Sequence, residues 1–381
     1  MSTLTVKAIE APVGFDLQMP ASAVIDGQAL TAYRSEWPQL PSSKNIILNG
    51  GMQIAQRGIS FVTPANNLYT LDRWRANISG GGAMTVTQDT DVPTGQGFDK
   101  SIKLDVTTAD ASIGAGDFFG VAYKVEAYEM SQLEIGTANA KAITLSFWVK
   151  STITGTYYVA FRNSAADRNY CASYTVSSAD TWEKKTISIT MDTSGTWLSG
   201  TNGMGMEIRF SFMAGSTYQG TANTWQPGNL FAASGIANGI NSTSNNVYLT
   251  GVQLEVGTTA TDWSLMARSY GEELALCQRY FQLPGSWQAH SDTYTATAFK
   301  IMHSFPVTMR ASPTIGTTGT PTCAKMNVNA GGPTTISSVP TANSDGFAAG
   351  SFTIMATGAG SAAATNTPYA GIGGFTADAE L

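Results

Sequence analysis

The sequence predicts an all-β protein: a jelly-roll β-sandwich, a short linking helix and a second, C-terminal β-sandwich domain, behind an extended N-terminal segment. Three observations predict it. Short runs of alternating apolar and polar residues recur along the chain, which is the period of a strand with one buried face. Clusters of turn residues separate those runs. Charged residues make up 13% of the 381, about half the usual ~25%, and Gly, Thr, Ser and Ala fill the gap.

Residues 1–43 carry Pro12, Pro20, Pro38 and Pro41 among short apolar pieces such as Leu4-Thr5-Val6 and Ala23-Val24-Ile25. That is too little apolar surface for a core of its own, and the segment reads as an attachment arm. Residues 44–268 read as one sandwich. Ile102, Leu104 and Val106 alternate with polar neighbours. Ile143, Leu145, Phe147 and Val149 line one face of a strand, with Thr144, Ser146, Trp148 and Lys150 on the other. Tyr157 to Phe161, Ile187 to Met191 and Met206 to Phe212 repeat the pattern, the last with Glu207, Arg209 and Ser211 at its polar positions. Strands with one apolar face each need a second sheet to cover it, and a jelly roll is the simplest such arrangement. Trp74, Trp148 and Trp263 read as core. The polar stretch from Gly215 to Asn246, with Tyr218, Trp225 and Phe231, reads as long loops over the sandwich.

Between Val247 and Val256 the apolar parity switches from Val247 and Leu249 to Val252, Leu254 and Val256, with Gly251 between. A bulge at the glycine would re-aim the second half. Residues 269–283 are the linking helix. Ser269 and Glu272 form a capping box. Leu274, Cys277 and Phe281 fall on one stripe, and Pro284-Gly285 ends the helix. Residues 284–381 form the last domain. Phe299, Ile301, His303, Phe305, Val307 and Met309 share a parity and read as one long strand, with short strands at Ser351 to Met355 and near Phe375.

The net charge is −6 and the pI about 5.0. No run of Lys or Arg marks a nucleic-acid surface. No apolar stretch approaches the ~20 residues of a membrane-spanning helix. The start of the chain lacks the basic and apolar regions of a signal peptide, so none is expected. Cys171, Cys277 and Cys323 are odd in number and widely spaced, which argues for buried free thiols rather than disulfides or a zinc site. From Gln282 to Leu381 the charged side chains are Asp292, Lys300, Arg310, Lys325, Asp345, Asp378 and Glu380. So sparse a charged surface predicts burial against sister chains in an obligate homo-oligomer.

Chemistry is thinly marked. His290 and His303 are the only histidines, and no Gly-x-Ser-x-Gly elbow accompanies them, so no Ser-His-Asp site is expected. In a trimer three copies of His303 would meet at the axis and suit a metal, against the simpler reading of a core histidine. No metal or cofactor is expected. A glycosidase needs two carboxylates about 5–10 Å apart, whereas Glu272 and Glu273 diverge on a helix and Asp89, Asp91, Asp105, Asp110 and Asp117 lie among turns. Gly80 to Gly82 lacks the lysine and helix of a phosphate cradle. No catalytic residue is assigned. Sugar binding is the remaining chemistry, because sugars present apolar C–H faces beside hydroxyls and are met by aromatic rings and amides. Tyr218 and Trp225 in one loop, and Trp287 and Tyr294 in another, stand beside such polar residues and are the candidate glycan-binding residues.

Several phrases carry a resemblance. They are Asn45-Ile46-Ile47-Leu48-Asn49-Gly50-Gly51-Met52, Met52 to Gly58 with its Gln56-Arg57-Gly58, Asp72-Arg73-Trp74, Gln253-Leu254-Glu255 and Cys277-Gln278-Arg279-Tyr280-Phe281. Together they resemble the jelly-roll carbohydrate-binding-like module of bacteriophage tail fibres and other host-contact proteins. Phe305 to Thr314 is similar to a phrase of phage-fibre C-terminal domains. The matched residues are framework, so no binding residue carries over. The resemblance implies a non-enzymatic tail fibre, made in the host cytoplasm and found in the virion. It implies a homo-oligomer, a trimer, joined to a tail or baseplate protein through its N-terminus and binding a host surface polysaccharide. Two alternatives stay open: a structural virion part (collar, adaptor or head fibre) without a receptor, and a fibre-borne glycan hydrolase.

Overall fold

A computed structural model of the protein describes residues 24–25, 28–29, 45–263, 268–284, 287–295, 298–325, 334–335, 351–357 and 368–381. The chain separates into two units, Met1–Ser43 and Lys44–Leu381. In the first, β1 (Val24–Ile25) pairs with β2 (Gln28–Ala29) in an antiparallel ribbon.

The second unit is dominated by two six-stranded antiparallel sheets. Their strands are β3 (Ser60–Val62), β4 (Trp74–Ser79), β5 (Ala83–Asp89), β6 (Ser101–Thr108), β7 (Phe118–Glu126), β8 (Ala142–Ser151), β9 (Gly155–Asn163), β10 (Arg168–Val176), β11 (Glu183–Thr190) and β12 (Met204–Ala214). The short β13 (Gln219–Gly220), β14 (Trp225–Pro227) and β15 (Ala232–Ala233) follow, then β16 (Asn246–Val256). One sheet runs β14-β10-β9-β12-β7-β4 and the other β11-β8-β16-β6-β5-β3. Most connections cross between the sheets, while β5–β6 and β9–β10 are hairpins within one, and together they make the jelly roll. The alternation read from the sequence supplies its interior: Phe147 on β8 meets Phe210 on β12 edge-on at 5.1 Å, and Trp74 on β4 packs 5.3 Å from Tyr123. Trp148 lies half-buried on the outer face of β8, opposite Phe147, and Trp263 is half-buried against Phe98, so of the three tryptophans expected in the core only Trp74 is there.

The bulge in β16 is present. Its pairing with β8 slips between Thr250 and Gln253, and Gly251 takes φ +62°. A Cβ there would lie 2.5 Å from the Phe98 ring, so only glycine fits. The slip turns Val252 and Leu254 onto the same core as Val247 and Leu249.

The opening phrase acts as a strap across this sandwich. Asn45 donates to the Val252 carbonyl at 3.2 Å and accepts from the Leu254 amide at 2.9 Å. Asn49 donates to the carbonyls of Ile54 and Asp72 at 2.8 and 2.9 Å, and its own carbonyl accepts from the Trp74 indole at 3.0 Å. Buried amides need such partners, which explains asparagine at both positions.

Helix α1 (Ala127–Met130) follows β7, and α2 (Tyr270–Gln278) is the linking helix. Its capping box is formed as expected, but the helix stops at Gln278 and Phe281 belongs to β17 (Phe281–Gln282). Cys277 is fully buried by the chain's own residues. Beyond it, β17, β18 (Trp287–Thr295), β19 (Ala298–Ser304), β20 (Thr314–Lys325), β21 (Thr334–Thr335), β22 (Ser351–Thr357) and β23 (Pro368–Asp378) form a seven-stranded antiparallel sheet. The long strand expected from Phe299 to Met309 ends at Ser304. Pro306 has no N–H to continue a ladder, and Phe305 and Met309 are instead buried in the loop that follows.

The chain's last residues return to the jelly roll. Asp378 pairs with Phe281 in register, and the buried Glu380 contacts both Arg73 and Arg57, the latter at 3.4 Å. Arg73 stacks 3.5 Å over the Tyr280 ring and Arg57 3.6 Å over Phe281. Arg279 and Tyr280 both bond Glu126, at 2.7 and 2.5 Å. The phrases around Arg57, Arg73 and Arg279 therefore meet at one joint.

Candidate functional site

The strands of the first sheet have two faces. Trp74, Val121, Val159 and Phe210 point into the core. The opposite face carries Arg75 and Asn77 from β4, Gly120, Ala122 and Lys124 from β7, Ala160 and Arg162 from β9, and Glu207 and Arg209 from β12. The register brings these together: Arg75 lies opposite Ala122, Ala122 opposite Arg209, and Glu207 between Lys124 and Arg162. Gly120, Ala122 and Ala160 form a shallow floor on which the long side chains lie. Gly120 is required there, since a Cβ would come within 1.9 Å of the Phe210 carbonyl.

Glu207 is fully buried and is contacted by three guanidinium groups. Arg209 reaches both of its oxygens at 3.2 Å, and Arg75 and Arg162 each contact one. Arg75 also donates to Asn67 Oδ1 and Arg162 to Asn229 Oδ1, each at 2.6 Å. Among the described residues several donors on these arginines find no partner: Nε of Arg75 and Arg162, and both Nε and Nη1 of Arg209.

The stretch expected to be loops over the sandwich forms one wall. Residues 215–236 fold onto the outer face with β13 and β15 paired in parallel. Phe231, Ala232 and Ala233 are buried against Phe118, Tyr158, Ala160 and Cys171, a small second core outside the sheet. Tyr218 stacks on Phe231 at 4.2 Å and 6°, and the Arg209 guanidinium lies 3.7 Å over the same Phe231 ring. Asn66, Asn67, Asn77 and Asn229 supply amides around the cavity, which measures about 280 Å³.

The electrostatics follow from burial. Desolvation lowers the pKa of Arg209, of Arg162 and of Arg75, and the repulsion among the three adds to it for Arg162 and Arg75. The cause is general: a charge taken out of water is disfavoured unless an opposite charge compensates it. Here one carboxylate faces three cations.

Of the candidate residues read from the sequence, Tyr218 lines this cavity. Trp225 does not. It sits on the edge strand β14 facing inward, packed against Tyr170 and Trp197 at 5.2 and 5.5 Å, with its indole donating to the Thr190 carbonyl at 2.9 Å. Trp287 and Tyr294 fall in strand β18 rather than at a loop tip, and their side chains, like those of His290 and His303, lie outside the described residues. Arg75, Arg162, Glu207 and Arg209 were not singled out. Their signal was charge at strand positions in a chain that spends charge sparingly. Among the described residues no group of three or more His, Cys, Asp or Glu is placed to hold a metal.

No protein-family model matches the chain, and no curated protein matches it in sequence. Solved structures do. The enzymatically active domain of tailspike protein 4 of bacteriophage CBA120 is 14% identical with a TM-score of 0.29, over 56% of this chain. This chain spans only 21% of that tailspike structure. The family 11 carbohydrate-binding module of a Clostridium thermocellum cellulosomal cellulase is 12% identical with a TM-score of 0.27, over 52% of this chain and 97% of the module. The C-terminal family 22 module of a Clostridium thermocellum protein, Xyn10B, is 12% identical with a TM-score of 0.29, over 53% of this chain and 98% of the module.

Proposed function

We propose that the chain is a non-enzymatic bacteriophage tail-fibre protein that binds a host-surface glycan in the groove on the outer face of the β14-β10-β9-β12-β7-β4 sheet. The observation that carries the binding reading is the make-up of that groove. A half-exposed aromatic, Tyr218, stands beside four asparagines and a set of guanidinium donors around a cavity of about 280 Å³. Apolar ring faces beside convergent hydrogen-bonding groups are what a saccharide requires. The volume sits just below the roughly 300 Å³ lower bound of drug-sized sites, which suits a short saccharide segment. The phage assignment is supported by the phrases from Asn45 to Phe281. Glu207 lies buried beneath the groove, engaged by three arginines.

The test is binding of the purified chain to a bacterial glycan array, alongside its ability to block phage adsorption. Tyr218→Ala and Asn77→Ala are expected to weaken both readouts together. A silent array with unblocked adsorption would leave a structural virion part as the better reading. Release of oligosaccharide from host envelope would make it a hydrolase.

A further inference from the structure

We infer that the saccharide taken by this groove is acidic, and that its anionic group docks on Arg75, Arg162 and Arg209. The inference rests on the groove being the glycan site and adds the chemical class of the ligand. Three guanidinium groups face one carboxylate, and Lys124 lines the same cavity, so cations are in excess here within a chain whose net charge is −6. The excess is not a solvated surface patch. Arg75 and Arg209 are 5% and 6% exposed, and Arg209 Nε and Nη1 and Arg75 Nε are buried without a hydrogen-bond partner in residues that line the cavity. Buried donors of this kind are costly until an acceptor arrives. A carboxylate or phosphate oxygen is the acceptor that also offsets the charge, and planar guanidinium groups bind such oxyanions in paired bonds. Phe231, stacked on Tyr218, carries the Arg209 guanidinium 3.7 Å over its ring, which pre-orients it. A neutral sugar would take the amides and Tyr218 but leave the charge excess uncompensated.

Calorimetric titration of the full chain with three probes of equal length tests this: oligogalacturonate, the same oligomer reduced at its carboxyl groups, and a glycerol-phosphate oligomer. At least one charged probe is expected to bind about tenfold or more tighter than the neutral one, the scale of a single charge-assisted hydrogen bond. That preference should shrink as salt is raised. Which charged probe binds tighter identifies the anion as carboxylate or phosphate. Arg162→Gln, at the more exposed margin, should reduce the preference for charged over neutral probe, and Arg162→Lys should retain part of it. Equal binding of neutral and charged probes overturns the inference but leaves the groove a glycan site. Charged probes that bind with no dependence on Arg162 or Tyr218 place the anion elsewhere and also overturn it. If no probe binds and groove variants leave phage adsorption unchanged, it is the glycan-binding reading that fails.

Discussion

Glu207 is the residue on which the groove depends, and Glu207→Gln isolates its charge at nearly constant volume. In the native fold its carboxylate is fully buried, and the side chains of Arg75, Arg209 and Arg162 that contact it are 6%, 7% and 14% exposed. Removing one partner from a buried ion pair costs about 3–5 kcal/mol, because the remaining charge is left uncompensated. Three cations are left here, and the neutral amide offers each a weaker hydrogen bond in exchange, so about 4 kcal/mol is expected. At about 2.1 cal/mol/K of unfolding entropy per residue, a unit of this size loses about 1.4 °C of melting temperature per kcal/mol, so the variant should melt about 6 °C below the parent in calorimetry. Adding Arg209→Met to the same chain removes one of the stranded charges. The double variant should melt above the single one. A shift under about 2 °C for Glu207→Gln, or additive losses in the double variant, would show that the three arginines do not depend on this carboxylate.

Other outcomes follow from local geometry. Gly120→Ala should cost about 2–3 kcal/mol or more in denaturant unfolding, because its Cβ would collide with the Phe210 carbonyl and the backbone of two strands must part. Near-parental stability would mean that β7 and β12 are not so closely paired. In a Cys323→Ser background, Cys171 and Cys277 should resist a thiol reagent until the protein unfolds. Both are buried, and burial pushes the Cys171 thiol up to about 12 and raises that of Cys277 as well, leaving little thiolate to react. Rapid labelling of the folded chain would contradict this. Asp91 accepts from the Trp182 indole and pairs with Lys150. Its slight burial alone would raise its pKa, but those bonds pull it below the ordinary value. Its contribution is therefore present above about pH 4 and lost as the pH falls through the lower folded value. Asp91→Asn should cost no more than about 1 kcal/mol at pH 7, since the carboxylate is two-fifths exposed and such pairs are screened. The cost should vanish toward pH 2, and a cost unchanged with acid would assign it to packing instead.

The sheets were legible because alternation is local. Ile143 to Val149 and Met206 to Phe212 each state in a few residues which face is buried, and the parity switch at Gly251 announces its own bulge. Capping at Ser269 and Glu272 is equally local. The groove is not local. Arg75, Arg162 and Glu207 are far apart in the chain, and only the order β9-β12-β7-β4 makes them neighbours. Each taken alone is an ordinary charge on the outer face of a strand. Tyr218 was within reach because a loop aromatic beside glutamine is a recognisable type. Trp225 looks the same in sequence, but its pairing across from Tyr170 turns it toward the core. At Phe299 to Met309 the parity runs on past Pro306, where a missing amide outweighs a pattern of side chains.

Arg73 lies 307 residues from Glu380, the carboxylate that neutralises it, and Asn45 latches to a strand 207 residues away. During translation the first guanidinium emerges long before its counter-charge. A nascent chain can assemble most of the sandwich early, yet an arginine deep in its wall stays uncompensated until Glu380 has been made. Contacts of such sequence separation slow folding. Truncated products should therefore keep their strands while remaining marginal, and they would be open to proteolysis at that joint.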